Sequence, residues 1–380
     1  MISSGKQYQN FEYYAKDPAY TIEDGRFIGG LAAELGFTEI NADNMAKLQA
    51  GQDATGKQIV ETAGKDGVEH NPGKDYTFSI DKPISILRFS ESTPEHIKQA
   101  IDEAMRAAAN KFVETAVKEG MVTWREHSGD NMIHHKIENT DQITAHSFLQ
   151  STSRNNDPDL HIHIAFMNMA KVGDGYKTIK FDGIHKKDAK AFLDQTAKNE
   201  FYQVLEQKLG KNLSNVIEKN KVDGTLSVAG IGKELIEQFS SRQKEIKEAL
   251  VELKEKYPNA TDGELTQMAN KATRQEKNLD FTKEELEDKL TPAASAVKEA
   301  VNAILTQQTY EMRGIDEDKL KADVKMVSEG LGQKEIYSSV NKLYLEVLKQ
   351  DSNYTYEAVK EAVNSSMELQ FRTIKDKEGL

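Results

Sequence analysis

Hydrophobic and polar positions change period several times along this chain, and each change predicts an element. From Asp75 to Ile80 they alternate, with Tyr76, Phe78 and Ile80 on one side and Asp75, Thr77 and Ser79 on the other. That is the period of a half-buried strand. Leu160, Ile162 and Ile164 alternate in the same way with His161 and His163. Glu91-Ser-Thr-Pro-Glu95 opens a helix, with Ser92 or Thr93 as N-cap and Pro94 in its first turn. Its apolar stripe is Ile97, Ile101, Met105, Ala108 and Phe112, and Gly120 ends it. A second helix is predicted from about Lys187 to Gly210, with Leu193, Ala197, Phe201, Leu205 and Leu209 on one face. A turn is expected at Gly173-Asp-Gly175. Strands and helices in mixed order, without regular βαβ units, predict an α+β fold.

Past Ala229 the composition shifts to Glu, Lys and Gln, with helical periodicity from Ile236 to Tyr257 and again from Ala294 onward. Asn259 to Asp280 is polar and poorly periodic, a linker with one or two helical turns. The expected organisation is a mixed domain over 1–235, a helical extension and linker over 236–292, and a small helical domain over 293–380.

Charge and composition narrow the function. The 380 residues hold 50 Lys plus Arg against 62 Asp plus Glu, a net charge of -12. This argues against coating duplex DNA by bulk charge but leaves room for a local basic groove around a short single strand. Cysteine is absent, which excludes disulfides and thiolate metal ligands. No apolar run reaches the length of a membrane span, and Met1-Ile-Ser-Ser-Gly lacks a signal-peptide pattern, so a cytoplasmic protein without membrane insertion is expected.

Three features carry chemistry. His161 and His163, one residue apart on a strand, point to the same face and form half of a metal site. Tyr13, Tyr14 and Tyr20 lie near the N-terminus, and Asp75 puts a carboxylate on the polar side of its strand. Together they supply what a phosphodiester transesterification needs. A phenolic oxygen attacks phosphorus, a divalent ion on the imidazoles offsets phosphate charge, and a carboxylate orients a ligand histidine or helps remove the tyrosine proton.

With these residues the chain resembles the relaxase domain of MobF-class conjugative plasmid relaxases, members of the HUH endonuclease superfamily. The resemblance rests on Phe11-Glu-Tyr-Tyr-Ala-Lys-Asp-Pro-Ala-Tyr20, Gly29-Gly-Leu-Ala-Ala-Glu-Leu-Gly36 and Gly73-Lys-Asp-Tyr-Thr-Phe-Ser79. It continues through Thr152-Ser-Arg and Pro158-Asp-Leu-His-Ile-His163, then Phe239-Ser-Ser-Arg242 and Asp376-Lys-Glu-Gly-Leu380. It implies an antiparallel sheet flanked by helices, followed by a mainly helical C-terminal region and, normally, a helicase, so that the chain is expected to be a fragment ending before it. It also implies nicking and strand transfer at a plasmid transfer origin through a 5′-phosphotyrosine on Tyr13, with Tyr14 packing or base-stacking and Tyr20 as a second nucleophile. The implied partners are single-stranded origin DNA with an adjacent hairpin or duplex, relaxosome accessory proteins and a secretion coupling protein; translocation with the transferred strand fits the same picture. Arg154, whose planar fork suits phosphate oxygens, and Lys82 and Lys177 are the implied DNA contacts.

The departures from the family pattern set further expectations. Gln150 stands where the family has its third ligand histidine, Tyr20 is followed by Thr21 where a tyrosine pair is usual, and of Pro-Lys-Ser only Lys82 remains. An amide oxygen in the ligand set favours Mg²⁺ or Mn²⁺ over Zn²⁺. His146 is the rival third ligand, on the same face as Gln150 in a strand or a helix. In a strand the two are roughly 13 Å apart, in a helix about 6 Å; the segment is expected to be extended, which leaves Gln150. Two other readings remain open at this point: a degenerate relaxase that binds origin DNA without nicking, and an HUH replication initiator or transposase.

Overall fold

The alternating segments form one antiparallel sheet in the computed structural model, which describes residues 6–7, 14, 16–60, 70–128, 131–186, 188–274, 278, 280–311, 314–334 and 339–366. Its strand order is β1 (Lys6–Gln7), β3 (Gly73–Ser79), β7 (Pro158–Val172), β6 (Ile143–Thr152) and β2 (Arg26–Ile28). A short β8 (Gly175–Lys177) folds back on the far end of β7 through the expected turn. A separate three-stranded sheet joins the hairpin β4 (Thr123–Ser128) and β5 (Asn131–Lys136) to β9 (Ile179–Lys180).

The two faces of the main sheet carry different cores. Tyr76, Phe78, Leu149, Ile162 and Ile164 lie buried on the side covered by the long helices, among the α+β elements expected from the pattern. After the short α1 (Leu31–Glu34), α2 (Ala42–Gln49) and α3 (Lys82–Phe89), those helices are α4 (Glu95–Lys118) and α5 (Ala189–Leu209). Every residue of the predicted α4 stripe is fully buried. The helix begins later than expected, with Pro94 as N-cap. Thr93 does not cap it, because its hydroxyl donates to the carbonyl of Leu87 at 2.6 Å and ties the turn back to α3. A smaller cluster covers the opposite face: Leu31, Leu35, Phe37, Met45 and Leu48 pack over Phe148, Ala165 and Met167.

The C-terminal region is helical, as expected. It runs from α6 (Lys233–Gln238) and α7 (Ser241–Lys256) through α8 (Asp262–Ala272), α9 (Lys283–Lys289) and α10 (Ala294–Thr306) to α11 (Glu317–Lys334), α12 (Val340–Leu348) and α13 (Tyr356–Ser365). The expected linker contains the eleven-residue α8, longer than one or two turns. Thr261 and Glu264 form a capping box at its start, and Leu265 and Ala269 bury its inner side. Polar periodicity hid it because only those two positions are buried. Near the chain's end, Tyr344 and Tyr356 pack on Phe192 of α5, with ring centroids 5.8 and 5.1 Å away. The Asn199 amide donates to the carbonyls of Leu348, Asp351 and Tyr354 at 3.1, 3.2 and 2.8 Å. One apolar core therefore runs from Tyr20 to Ala362. Among the described residues no helix is long and apolar enough to cross a membrane.

Close contact between β3 and β7 depends on Gly73. Its φ is +145°, and a Cβ there would sit 1.9 Å from the carbonyl oxygen of Phe166. Gly73→Ala should destabilise the protein by about 2 kcal/mol or more, from backbone strain and overpacking together. Denaturant unfolding checks this; an unchanged midpoint would show that the strands separate freely.

Candidate active site

Period two along β7 places His161, His163, Ala165 and Met167 on the face away from α4 and α5. Register supplies their neighbours. On β3, Ser79 stands opposite His161 and Thr77 opposite His163, while Asp75 is one step further along. On β6, Gln150 stands opposite His161, Phe148 opposite His163, and His146 opposite Ala165. The two imidazole rings are 5.3 Å apart between centroids.

Both rings are oriented through Nδ1. That of His163 is 2.8 Å from Oδ2 of Asp75, within a pair whose members are each about 5% exposed. That of His161 is 2.7 Å from the backbone carbonyl of Asp159. A carbonyl only accepts, so His161 carries its proton on Nδ1, and an ionised Asp75 imposes the same tautomer on His163. Each Nε2 then keeps its lone pair, the form a metal ligand requires. A register shift explains where the Asp159 carbonyl comes from. Gln150 pairs with His161 but Thr152 pairs with Pro158, so Asp159 and Leu160 both stand opposite Ser151. This is a β-bulge, which re-aims backbone groups beside a site.

Two imidazole nitrogens and the buried amide of Gln150, only 1% exposed, make a mixed nitrogen and oxygen donor set that suits a divalent cation. Among the described residues no three His, Cys, Asp or Glu side chains converge as a ligand set, and the side chain opposite His161 on β6 is the neutral amide of Gln150. His146 lies on an extended strand, as expected, two pairs further along. It packs between Phe27 and Phe148, with centroids 5.1 and 6.4 Å away. Asp75 has one more notable feature. Its second oxygen, Oδ1, is buried without a hydrogen-bond partner among the described residues.

The tyrosines separate. Tyr13 lies outside the described residues. Tyr14 is buried over the site, its ring stacked on Phe148 at 5.0 Å and meeting His163 edge-on at 5.2 Å. Tyr20 is not brought to the histidines. It belongs to the core on the helical face, and its hydroxyl donates to Asp102 at 2.7 Å. Asp102 also holds Arg88 through two bonds of 2.7 Å. Burial pushes the Tyr20 phenol well above its ordinary pKa, against the pull of Arg88.

The expected cations also divide. Lys82 reaches the start of the histidine strand, donating to the Pro158 carbonyl at 2.6 Å. Arg154 lies in the turn between β6 and β7, near Arg242 at the start of α7. Lys177 is exposed on β8 opposite Ala170, seven residues from His163 and so roughly 23 Å along the strand. Sequence reasoning missed Phe148, although its place two residues from both His146 and Gln150 on an extended segment was a sufficient signal. It also missed Asp157, which is 1% exposed and caps α7 through the Ser241 N–H at 2.8 Å while pairing with Lys289 at 2.9 Å. No local pattern announces a cap formed from 84 residues away.

Comparison with known proteins agrees with this fold. The family model of the TrwC relaxase matches residues 3–297. The multifunctional conjugation protein TraI of Escherichia coli is 25% identical over 249 residues, which are 63% of this chain but 13% of TraI. This chain thus spans a small part of that relative's length. A copper-bound structure of the conjugative relaxase TrwC in complex with oriT DNA superposes with a TM-score of 0.63 at 26% identity, covering 78% of this chain and 98% of that one. A metal-free TrwC complex gives 0.60 at 27% identity, covering 79% and 98%. A further TrwC complex, with a 27-mer comprising the recognition hairpin and the cleavage site, gives 0.60 at 26%, covering 78% and 98%.

Burial pushes His146 down to about 3. An unfolded histidine titrates near 6.5, so between these values the unfolded chain binds a proton that the folded chain does not. Stability from this group is therefore complete above about pH 6.5 and falls as the medium is acidified towards 3. His146→Leu should flatten that part of the profile, measured as denaturant midpoints at about pH 5 and about pH 7.5. It should leave Mn²⁺ binding by calorimetry unchanged; loss of Mn²⁺ binding would make His146 the third ligand.

Proposed function

The chain belongs to the TrwC relaxase family, and on that premise we propose that it is a metal-dependent, strand-specific endonuclease and strand transferase acting on single-stranded DNA at a plasmid transfer origin. Asp75 carries this reading: one oxygen orients His163, and the other is buried with no hydrogen-bond partner among the described residues. A carboxylate oxygen left in that state costs folding free energy, roughly 1–3 kcal/mol. Such a cost is understandable where the oxygen is kept to accept a proton during reaction.

In the proposed step the phenolic oxygen of Tyr13 attacks the scissile phosphorus. The P–O3′ bond breaks as the tyrosine–phosphorus bond forms, the tyrosine proton passes to the Asp75 carboxylate, and the 3′ oxygen leaves as a hydroxyl by taking a proton from water, to which Asp75 later returns its own. The reverse step rejoins the strand, so no external energy source is needed. His161, His163 and Gln150 would hold a divalent cation, which when bound offsets charge on the non-bridging phosphate oxygens. The amide oxygen favours Mg²⁺ or Mn²⁺. Asp75 fixes the His163 tautomer, and Phe148 and Tyr14 roof the site with apolar rings that limit water. Arg154 and Lys82 are the proposed phosphate contacts nearest the histidine strand. Lys177, at the other end of β7, would serve DNA away from the scissile phosphate, and Tyr20 would act as a second tyrosine only after leaving Asp102. A recognition hairpin or duplex beside the nick, relaxosome accessory proteins and a secretion coupling protein are the partners this role requires. Gln150 favours a second reading, a relaxase that binds origin DNA without cutting it.

A randomised pool of single-stranded oligonucleotides, incubated with the protein and Mn²⁺, tests the proposal without knowledge of the nick sequence. SDS-resistant adducts are expected, enriched in one sequence, with peptide mapping placing the DNA on Tyr13. Bound but never adducted DNA would establish the non-cutting binder, and mapping to Tyr14 or Tyr20 would move the nucleophile. With the selected sequence, Asp75→Ala should slow adduct formation by roughly 10²–10⁴ with little change in melting temperature. Gln150→His should tighten Mn²⁺ binding and accelerate cutting; weaker binding would remove Gln150 from the ligand set.

A further inference from the structure

A second anchor joins the tyrosine segment to the histidine sheet. Asp17 lies three residues beyond Tyr14. Its Oδ2 accepts the backbone N–H of Ser151 at 2.9 Å, and its Oδ1 accepts the Ser151 hydroxyl at 2.7 Å. The same Oδ1 accepts the N–H of Ala19 at 3.0 Å, which turns the chain after Asp17. Ser151 is fully buried and is the residue on β6 that faces two residues of β7 across the bulge. A buried N–H beside such an irregularity must find an acceptor. Here that acceptor comes from outside the sheet, on the segment carrying the tyrosines. Ser151 follows Gln150 directly, and the same bulge aims the Asp159 carbonyl at His161.

We infer that the Asp17–Ser151 latch is a positioning device for the reaction, setting the height of the tyrosine segment over the histidine pair. The inference rests on the nicking role proposed above. Tyr14 meets Phe148 and His163 through ring contacts, and Asp17 is held at the bulge by a paired hydrogen bond, so both residues are tied to the histidine sheet. Two hydrogen bonds to one carboxylate define a direction and a distance. In-line attack tolerates little error: a misplacement of about 1 Å can cost on the order of 10²-fold in rate. Asp17 touches neither phosphate nor ligand in this scheme. It acts through Tyr14 and its neighbour.

Asp17→Ala and Ser151→Ala test this, since the serine variant keeps the backbone bond and the fold. The readouts are Mn²⁺ affinity, affinity for the oligonucleotide selected from the random pool, and adduct rate at saturating oligonucleotide. The fluorine resonance of 3-fluorotyrosine at Tyr14, assigned with Tyr14→Phe, is a fourth that needs no activity. Asp17→Ala should lower the saturating rate by about 10- to 100-fold, with both affinities within about twofold of wild type. Ser151→Ala should show a smaller loss, the double variant should be no worse than Asp17→Ala, and both substitutions should shift the Tyr14 resonance. An unchanged rate, an unmoved resonance, or affinities falling in step with the rate would each overturn the inference. A wild-type protein that forms no adduct, with a Tyr14 resonance that still moves in the variants, would sink the nicking proposal and leave the latch standing.

Discussion

The site depends on β7 keeping its register between two neighbours. Its side chains alternate between a helix-covered apolar core and a face with two histidines, and a shift of one residue would exchange the two sets. β3 and β6 both prevent that slip. Tyr76 and Phe78 from one side and Leu149 from the other bury the apolar set, while Thr77, Ser79, Phe148 and Gln150 flank the histidines. Burial of Ile162 and Ile164 is therefore also what aims His161 and His163. The same hydrophobic free energy that folds the sheet holds the imidazoles side by side.

Much of this was legible in the chain because it is periodic and local. Alternation around Asp75 and around the histidines gave the right faces, and the stripes of α4 and α5 gave the covering helices. The extended state of the Gln150 segment followed from its lead into a turn, which set His146 apart in advance. What remained hidden was non-local. Nothing near Tyr20 reveals that its hydroxyl belongs to Asp102, 82 residues away, on the helical side of the sheet. Nothing near Lys177 reveals that β7 runs on past His163 to Val172 and that β8 returns to set Lys177 opposite Ala170. The bulge at Ser151 depends on how two strands pair, and neither strand shows it alone.

Several acidic side chains are spent on internal geometry. Asp17 serves the bulge, Asp75 a histidine, Asp102 an arginine and a tyrosine, and Asp157 a helix start and a lysine. Each is matched by a donor at a fixed place, so the chain's net charge is a poor guide to the field at the site. Burial, and after it the charge of nearby Arg154, depresses the pKa of Arg242 against the pull of Glu245.

The continuous core also bears on how such proteins are divided. The family model's match ends at residue 297, yet Phe192 is covered by Tyr344 and Tyr356, and Asn199 gives its amide to carbonyls beyond Val347. Cutting at the edge of similarity would bare an aromatic patch on α5 and leave a buried amide with water as its only recourse. For this chain the matched segment and the packed core have different borders, and the core is the one that a working fragment must respect.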